Sequence, residues 1–290
     1  MVHRLTLGLA VLLVSATLSV GAESVRFGLI TDTHAHDIDS PLESKWMSNT
    51  ETRMLAFTAA MNLWAPDFVI ELGDFINGWV VLGADPGDPA RIPDILQWAD
   101  ELYGAFEGPR YHVIGNHDLY NLDKATYLEI LEMEATSFSF DVGGVHFVVL
   151  DVQFSEDGED LAHTYTGVAG YLPASQIEWL RADLAGSTIP AVVFLHQPLD
   201  DFIEEWDRPT VLNQTEIREV LAADGDVIAV LQGHTHSNSH HLLDDIHFVT
   251  FEALVDQGTP PSWAQITIDS ALRTLVIEGI GEQASYELPF

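Results

Sequence analysis

Residues 110–120 read RYHVIGNHDLY, and the order of side chains in that stretch poses the fold problem. An apolar run ends at Val113 and Ile114, Gly115 follows, and Asn116, His117 and Asp118 then stand in a row. Taken alone, Gly-Asn-His-Asp is also a good turn sequence. The same design recurs along the chain in VRFGLITDTH (25–34), DFVIELGD (67–74), IPAVVFLHQP (189–198) and DVIAVLQGHTH (226–236). Each of these apolar runs ends in side chains able to bind a metal: Asp32 and His34, Asp74, Asn116 and His117, His196, and His234 with His236. One such end is easily a helix cap or a turn, and a lone histidine is most often structural. Five in series resist that explanation. In open α/β sheets ligands bind beyond the carboxyl ends of strands, so these residues are expected to converge in one crevice. Residues two apart in an extended segment point the same way, so Asp32 with His34, and His234 with His236, can each face one site.

The segments between the runs carry helical patterns. Met54, Phe57, Met61 and Trp64 recur at three- and four-residue spacing, which predicts a helix over about 51–65 that stops before Pro66. PASQIEWLRADLAG (173–186) predicts another, with Ser175 and Glu178 as a capping box and Gly186 as its end. Asn213 and Glu216 predict a second capping box, with Leu212 and Ile217 as a hydrophobic staple. FSFDVGGVHFVVLD (138–151) reads as a hairpin turning at Gly143-Gly144. IHFVTFEAL (246–254), AQITID (264–269) and RTLVIEGI (273–280) add strands near the carboxyl end. Alternating strands and helices argue for an α/β domain, and the hairpin with the strand-rich tail predicts a second sheet packed on the first. His112, His146 and His247 fall in strand-like runs as core or edge residues, whereas His240 and His241 are expected in the loop leaving the last motif.

A length of 290 residues with 47% hydrophobic residues suits one large domain. Residues 1–22 have the layout of an export signal: His3 and Arg4, an apolar run from Leu5 to Val20, then Gly21 and Ala22. The expectation is a single domain over 23–290, periplasmic or secreted, with no stable membrane anchoring after cleavage. Without cysteine there are no disulfides and no thiolate ligands, so a metal must be held by His, Asp, Glu or Asn. Forty-five acidic residues against 11 basic ones give a net charge of −34. Such a surface repels nucleic-acid polymers and suits a habitat whose salt screens self-repulsion.

The ordered series Asp-x-His, Gly-Asp, Gly-Asn-His-Asp, a lone His and Gly-His-x-His, running from Asp32 to His236, resembles the calcineurin-like metallophosphoesterases. The resemblance implies an α/β fold: a two-sheet β-sandwich flanked by helices, in four αββα layers, with two divalent ions (Mn, Fe or Zn) at the strand ends. By position it implies that Asp32, His34 and His236 hold one ion, that Asn116, His196 and His234 hold the other, and that Asp74 bridges them. His117 would contact the substrate phosphate and protonate the leaving oxygen, and Asp118 would either orient His117 or cap the segment after it. Only Asp32 and Asp74 among these ligands are anionic, so two dications leave a net positive trap for phosphate. Two ions roughly 3.5–4 Å apart can activate a bridging water and clamp the phosphoryl oxygens during in-line attack.

Departures from better-known branches narrow the substrate. Protein Ser/Thr phosphatases carry Gly-Asp-x-x-Asp-Arg at the second motif, where this chain has GDFING with Asn77 and Gly78. Purple acid phosphatases place a ligand Tyr at the position of Asn77 and lack the ligand His of the first motif, here His34. GVAGYLPASQIEWL (167–180), VLQGHTHSN (230–238) and GIGEQASYELPF (279–290) look more like the manganese-dependent ADP-ribose/CDP-alcohol diphosphatase branch. That likeness implies an exported hydrolase of a small soluble phosphodiester or phosphoanhydride, nucleotides included. The alternatives are a phosphate-scavenging monoesterase and a metal-binding module without turnover. Trp79, Tyr165, Trp206 and Arg208, in the loops 77–93, 155–167 and 200–212, could stack on a base or hold a second phosphate. His36 is expected not to be a ligand, since the family pattern is complete without it.

Overall fold

The structure is a computed structural model that describes residues 24–38, 45–78, 89–163, 169–200, 210–256 and 260–290. The proposed export segment and Trp79, Tyr165, Trp206 and Arg208 lie outside the described residues. The first half runs β1 (Val25–Ile30), α1 (Thr50–Trp64), β2 (Phe68–Glu71), α2 (Ile92–Tyr103), β3 (Arg110–His112), α3 (Lys124–Ile130), β4 (Phe138–Val142) and β5 (Val145–Val149). The second runs α4 (Ala174–Ala185), β6 (Ala191–Phe194), α5 (Gln214–Asp224), β7 (Val227–Gln232), β8 (Ser239–Leu243), β9 (Ile246–Thr250), β10 (Trp263–Asp269), β11 (Thr274–Ile280) and β12 (Tyr286–Pro289). No described helix is long and apolar enough to cross a membrane.

The strands form two six-stranded sheets, ordered β12-β11-β10-β1-β2-β3 and β4-β5-β6-β7-β9-β8. In the first, β1, β2 and β3 are parallel and β10 to β12 return antiparallel. In the second, β5, β6, β7 and β9 are parallel, with β4 and β8 as antiparallel edges. Every residue of β2, β5, β6, β7 and β9 is buried. That explains why these strands read as continuous apolar runs: parallel strands are covered on both faces.

The two sheets meet through one apolar layer built on phenylalanines. Phe27 of β1 stacks on Phe68 of β2 at 4.9 Å and meets Phe147 and Phe194 of the second sheet edge-on at 5.6 and 5.8 Å. Outside the first sheet, Met54, Phe57 and Met61 of α1 pack on Ile30 and Val69. Outside the second, Ile177 and Leu180 of α4 and Ile217 of α5 pack on Val148 and Val193. Burying each such side chain contributes roughly 1.5–3 kcal/mol. The result is the expected four-layer αββα sandwich.

Several local expectations need correction. The tail does not join the hairpin in one second sheet. It divides instead, β8 and β9 entering the second sheet and β10 to β12 completing the first. SHHLL (239–243) is a strand, so His240 and His241 are on β8 and not in a loop. Pro173 takes the N-cap of α4, and no side chain caps it, Ser175 included. Asn213 is the N-cap of α5, but its side chain bonds the Leu172 backbone N and O at 3.0 and 2.8 Å. Leu212 is 54% exposed, so it forms no staple with buried Ile217. Helix α1 behaves as predicted: Ala65 turns left-handed at φ 54° and Pro66 follows.

Candidate metal centre

The strand ends bring the five motifs together. Asp32 and His34 follow β1, Asp74 follows β2, Asn116 and His117 follow β3, His196 follows β6, and His234 and His236 follow β7. The centre therefore straddles both sheets. Backbone bonds stitch its loops: Asp32 N donates to Gly73 O (3.1 Å), His34 N to Asp74 O (2.8 Å) and Gly233 N to His196 O (3.0 Å). Asp32, His34, Asp74, His234 and His236 all have positive φ, between 44° and 72°. Their side chains thus face the site from left-handed turns and not from extended strand. Gly115 is required sterically, because a Cβ there would collide with the backbone N and the carboxylate of Asp74.

Three overlapping clusters result: Asp32, His34 and His236; His34, Asp74 and His117; and Asp74, His196 and His234. Asp32 Oδ2 accepts from the Thr31 hydroxyl (2.7 Å) and His234 N (2.9 Å), which turns Oδ1 toward His236 Nε2 (3.2 Å) and His34 Nε2 (3.7 Å). The two oxygens of Asp74 face different imidazoles, Oδ1 lying 3.2 Å from His196 Nε2 and Oδ2 3.6 Å from His34 Nε2. Asn116 commits its amide nitrogen to Tyr120 Oη at 3.2 Å, and its oxygen is buried without a partner among the described residues. His117 presents its ring edge-on to His34 at 4.5 Å, while its backbone N donates to Asp74 Oδ1 at 2.8 Å.

The donor set fits divalent ions. Asp32 Oδ1 and Asn116 Oδ1 are buried oxygens with no hydrogen-bond partner among the described residues, and such orphans are rare unless an ion or water satisfies them. The Nε2 atoms of His34 and His236 face one another at 3.1 Å, and Nδ1 of His234 lies 3.2 Å from Nε2 of His196. Second partners set several rings. His196 Nδ1 donates to Leu72 O (2.8 Å), His34 Nδ1 to Asn77 Oδ1 (3.0 Å), and His236 Nδ1 pairs with Asp256 Oδ1 (2.7 Å). Such contacts leave the opposite nitrogen for a metal.

Charge is organised accordingly. Burial pushes the Asp32 and Asp74 carboxyls up, but the surrounding histidines, His236 foremost for Asp32 and His196 for Asp74, hold both well below the usual range. Burial lowers His196, yet the Asp74 carboxylate carries it up to about 9. Burial, followed by the charge of His196, drives His234 down to about 3. His117 is pushed well down by burial and then by Lys45.

The three clusters contain six of the seven expected ligand positions together with His117, and Asn116 immediately precedes His117. His36 is buried outside the three clusters, accepting from Ile38 N at 3.1 Å. Asp118 does not touch the His117 ring: its oxygens accept from Ile76 N (2.9 Å) and Gly115 N (2.8 Å), tying the second motif to the third. Burial and then Asp74 push its carboxyl up to about 8. Sequence reasoning passed over Asp256, Lys45, whose Nζ lies 3.2 Å from His34 Nδ1, and Glu71, buried at the end of β2. Burial and then Asp118 hold the Glu71 carboxyl well above its usual range. None of the three sits at a motif spacing, although Lys45 is one of only two lysines in an acidic chain.

The comparisons with known proteins agree with this geometry. A profile described as Calcineurin-like phosphoesterase matches residues 25–238. The manganese-dependent ADP-ribose/CDP-alcohol diphosphatase of Oryza sativa subsp. japonica is 25% identical, over 77% of this chain and 79% of that protein. The serine/threonine-protein phosphatase CPPED1 of Homo sapiens is 28% identical, over 85% and 78%. A dimetal phosphatase from Danio rerio shares the fold with a TM-score of 0.75 at 18% identity, covering 92% of this chain and 99% of that one. A family match across most of the described residues, with each motif of the series placed at one centre, makes this chain a member of the calcineurin-like phosphoesterases and a metal-dependent phosphoric ester hydrolase.

Proposed function

We propose that the chain hydrolyses a small soluble phosphodiester or phosphoanhydride, nucleotides included, using Asp32, His34 and His236 for one divalent ion, Asn116, His196 and His234 for a second, and Asp74 for both. The observation that carries this reading is Asp74, whose two oxygens serve the two imidazole groups separately. Two bound ions supply activation of the attacking water and charge stabilisation at the phosphoryl oxygens. His117 is the proton carrier at the rim. Its ring is partly exposed, its backbone is pinned to Asp74, and its Nδ1 has no partner among the described residues.

The second motif supports a small substrate over a phosphoprotein. Asn77 is engaged with His34, not with His117. A Cβ at position 78 would fall 2.6 Å from the Tyr120 Cβ, so this backbone has no room for the arginine of the protein-phosphatase pattern. Likeness to the Oryza sativa diphosphatase over comparable shares of both chains points the same way. A phosphoprotein substrate is the second reading, favoured by the likeness to human CPPED1. The test compares kcat/KM of the Mn-loaded protein for bis-p-nitrophenyl phosphate, ADP-ribose, p-nitrophenyl phosphate and a phosphoserine peptide, at low and high salt with a chelated control. Metal-dependent preference for either of the first two upholds the proposal. Preference for p-nitrophenyl phosphate moves it to a scavenging monoesterase, and preference for the peptide to a protein phosphatase.

We also propose, from the sequence pattern of residues 1–22, that the protein is exported as a single domain starting near Glu23. Amino-terminal sequencing of the protein recovered outside the cytoplasm tests this, and an intact Met1 would overturn it.

A further inference from the structure

The centre draws its ligands from both sheets, and one buried amide ties the two sheets together beside it. Asn116 follows β3 of the first sheet and His196 follows β6 of the second, yet both belong to the proposed second ion site. Gln153 lies beyond the end of β5, the neighbour of β6, and is fully buried, as is Gln197. Gln153 Nε2 donates to Ile114 O at 3.2 Å, two residues before Asn116, and to Gln197 Oε1 at 2.6 Å, one residue after His196. Gln197 Nε2 donates back to Gln153 Oε1 at 3.1 Å, which closes a reciprocal amide pair. A carbonyl oxygen can only accept, so Ile114 dictates which end of the Gln153 amide is nitrogen, and both of its N–H groups are used.

The other hydrogen bonds of residues 113–118 stay within their own segment or go to the first sheet and the loops at its strand ends. Val113 N donates to Glu71 O, His117 N to Asp74 Oδ1, Gly78 N to His117 O, and Gly115 N and Ile76 N to Asp118. Among the described residues, the bond from Gln153 is the one hydrogen bond that joins this segment to the second sheet. His196 has its own tether across the sheets, Nδ1 to Leu72 O at 2.8 Å. Asn116 has none, since its amide nitrogen goes to Tyr120 Oη on its own segment. Apolar packing holds the sheets face to face but is non-directional, whereas a metal site needs ligand distances held within about 0.2 Å. The directional bond that supplies this for Asn116 comes from Gln153. The Gln153 backbone is held without its side chain, its N donating to Asp151 Oδ1 at 2.8 Å and its O accepting from Leu161 N at 3.1 Å.

We propose that Gln153 is a positioning residue that sets Asn116 against His196 for the second ion; this rests on the two-ion reading of the centre. The experiment titrates Mn against a chelating indicator in wild type, Gln153→Met, Asn116→Ala and the double variant, and records the Tm of each metal-free protein. Methionine keeps an apolar side chain of similar length but cannot make the amide bonds. Asn116→Ala identifies which Mn-binding step belongs to its site. The expected result for Gln153→Met is a loss of about tenfold or more in that same step, the scale of a lost outer partner of a metal ligand. The other step should stay within about threefold of wild type. Tm should fall in Gln153→Met, because the buried partners of the amide lose their bonds. A merely structural role lowers Tm while leaving both steps unchanged or weakening both alike, and either result overturns the proposal. In the double variant Gln153→Met should add nothing to the step already weakened by Asn116→Ala, and additive losses overturn the proposal as well. A wild type that binds a single Mn defeats the two-ion reading and the role of Gln153 with it. Selective weakening in a protein that cleaves no phosphate ester upholds Gln153 and defeats only the proposed reaction.

Discussion

Removing the Asp256 carboxylate should weaken one metal site and spare the other. Asp256 Oδ1 lies 2.7 Å from Nδ1 of His236, whose Nε2 faces Asp32 Oδ1 at 3.2 Å. A hydrogen bond to a charged group contributes about 1.5–3 kcal/mol. Loss of such an outer partner of a ligating histidine usually costs about 10–100-fold in metal affinity, or roughly 1.4–2.8 kcal/mol. The two magnitudes agree, so Asp256→Ala should weaken the Asp32, His34 and His236 site by about 10–100-fold. The chain around Asp256 is held independently of its side chain, because Arg53 donates to the backbone oxygens of Leu254 and Asp256. The variant should therefore fold. Competition of Mn against a chelating indicator resolves the two binding steps. One step should weaken and the other should stay within about threefold. Asp256→Asn, which keeps an acceptor oxygen and loses the charge, should fall between. Two steps identical to wild type in Asp256→Ala, or two steps weakened equally, would refute the reasoning.

His117→Ala should lower kcat by about 100-fold or more, the scale of a lost general acid, with Mn content near wild type; unchanged turnover removes the role assigned to it. Asp74→Asn should reduce occupancy at both sites, as metal analysis will show, and loss at one site alone would mean Asp74 does not bridge. Gly115→Ala should displace Asp74 and depress Mn content in a protein whose far-ultraviolet dichroism is unchanged; full Mn occupancy contradicts the close approach at that position. His146 gives a pH signature away from the centre, since its nitrogens lie 2.7 Å from Asp141 and 3.0 Å from Asp183. Burial lowers this ring, but the two carboxylates outweigh it and raise it above the ordinary 6.5. A raised folded-state value means that the stabilisation is complete below 6.5 and is lost as pH rises through the folded value. Tm should therefore fall more between about pH 6 and about pH 9 in wild type than in His146→Gln, and parallel curves would exclude the ion pair as a contributor.

What could be read from the sequence was what local chemistry dictates. A parallel strand covered on both faces is mostly apolar, so β1, β2, β6 and β7 announced themselves and their ends located the site. SHHLL hid as a strand because β8 is an edge with mostly half-exposed residues, which leaves no apolar run to see. The division of the tail depends on β10 pairing with β1, Val25 opposite Ile268, and nothing local encodes a contact across that much chain. Asn213 shows why capping residues mislead: a side chain that could cap its own helix is used instead to hold Leu172. Asp256 and Lys45 escaped for the same reason, since each reaches the centre through tertiary contacts and neither belongs to a spaced motif.

The legibility of the ligands themselves has a conformational origin as well as a chemical one. Asp32, His34, Asp74, His234 and His236 combine metal-binding side chains with left-handed backbone. For most L-residues that conformation is costly, of order 1–3 kcal/mol each, and among non-glycine residues Asp, Asn and His tolerate it best. The turns beyond the strand ends therefore select from nearly the same small set of residues as a divalent ion does. A change to Glu or Cys at these positions would keep a donor atom yet strain the turn, whereas a change to Gly would relax the turn and lose the donor. The strain persists because both sheets over-determine the loops: Asp32 N is held by Gly73 O, Gly233 N by His196 O, and His234 N by the Asp32 carboxylate. The sandwich thus does more than carry the centre. By fixing the turns left-handed it aims two carboxylates and three imidazoles at positions that the side chains of an extended strand would not reach.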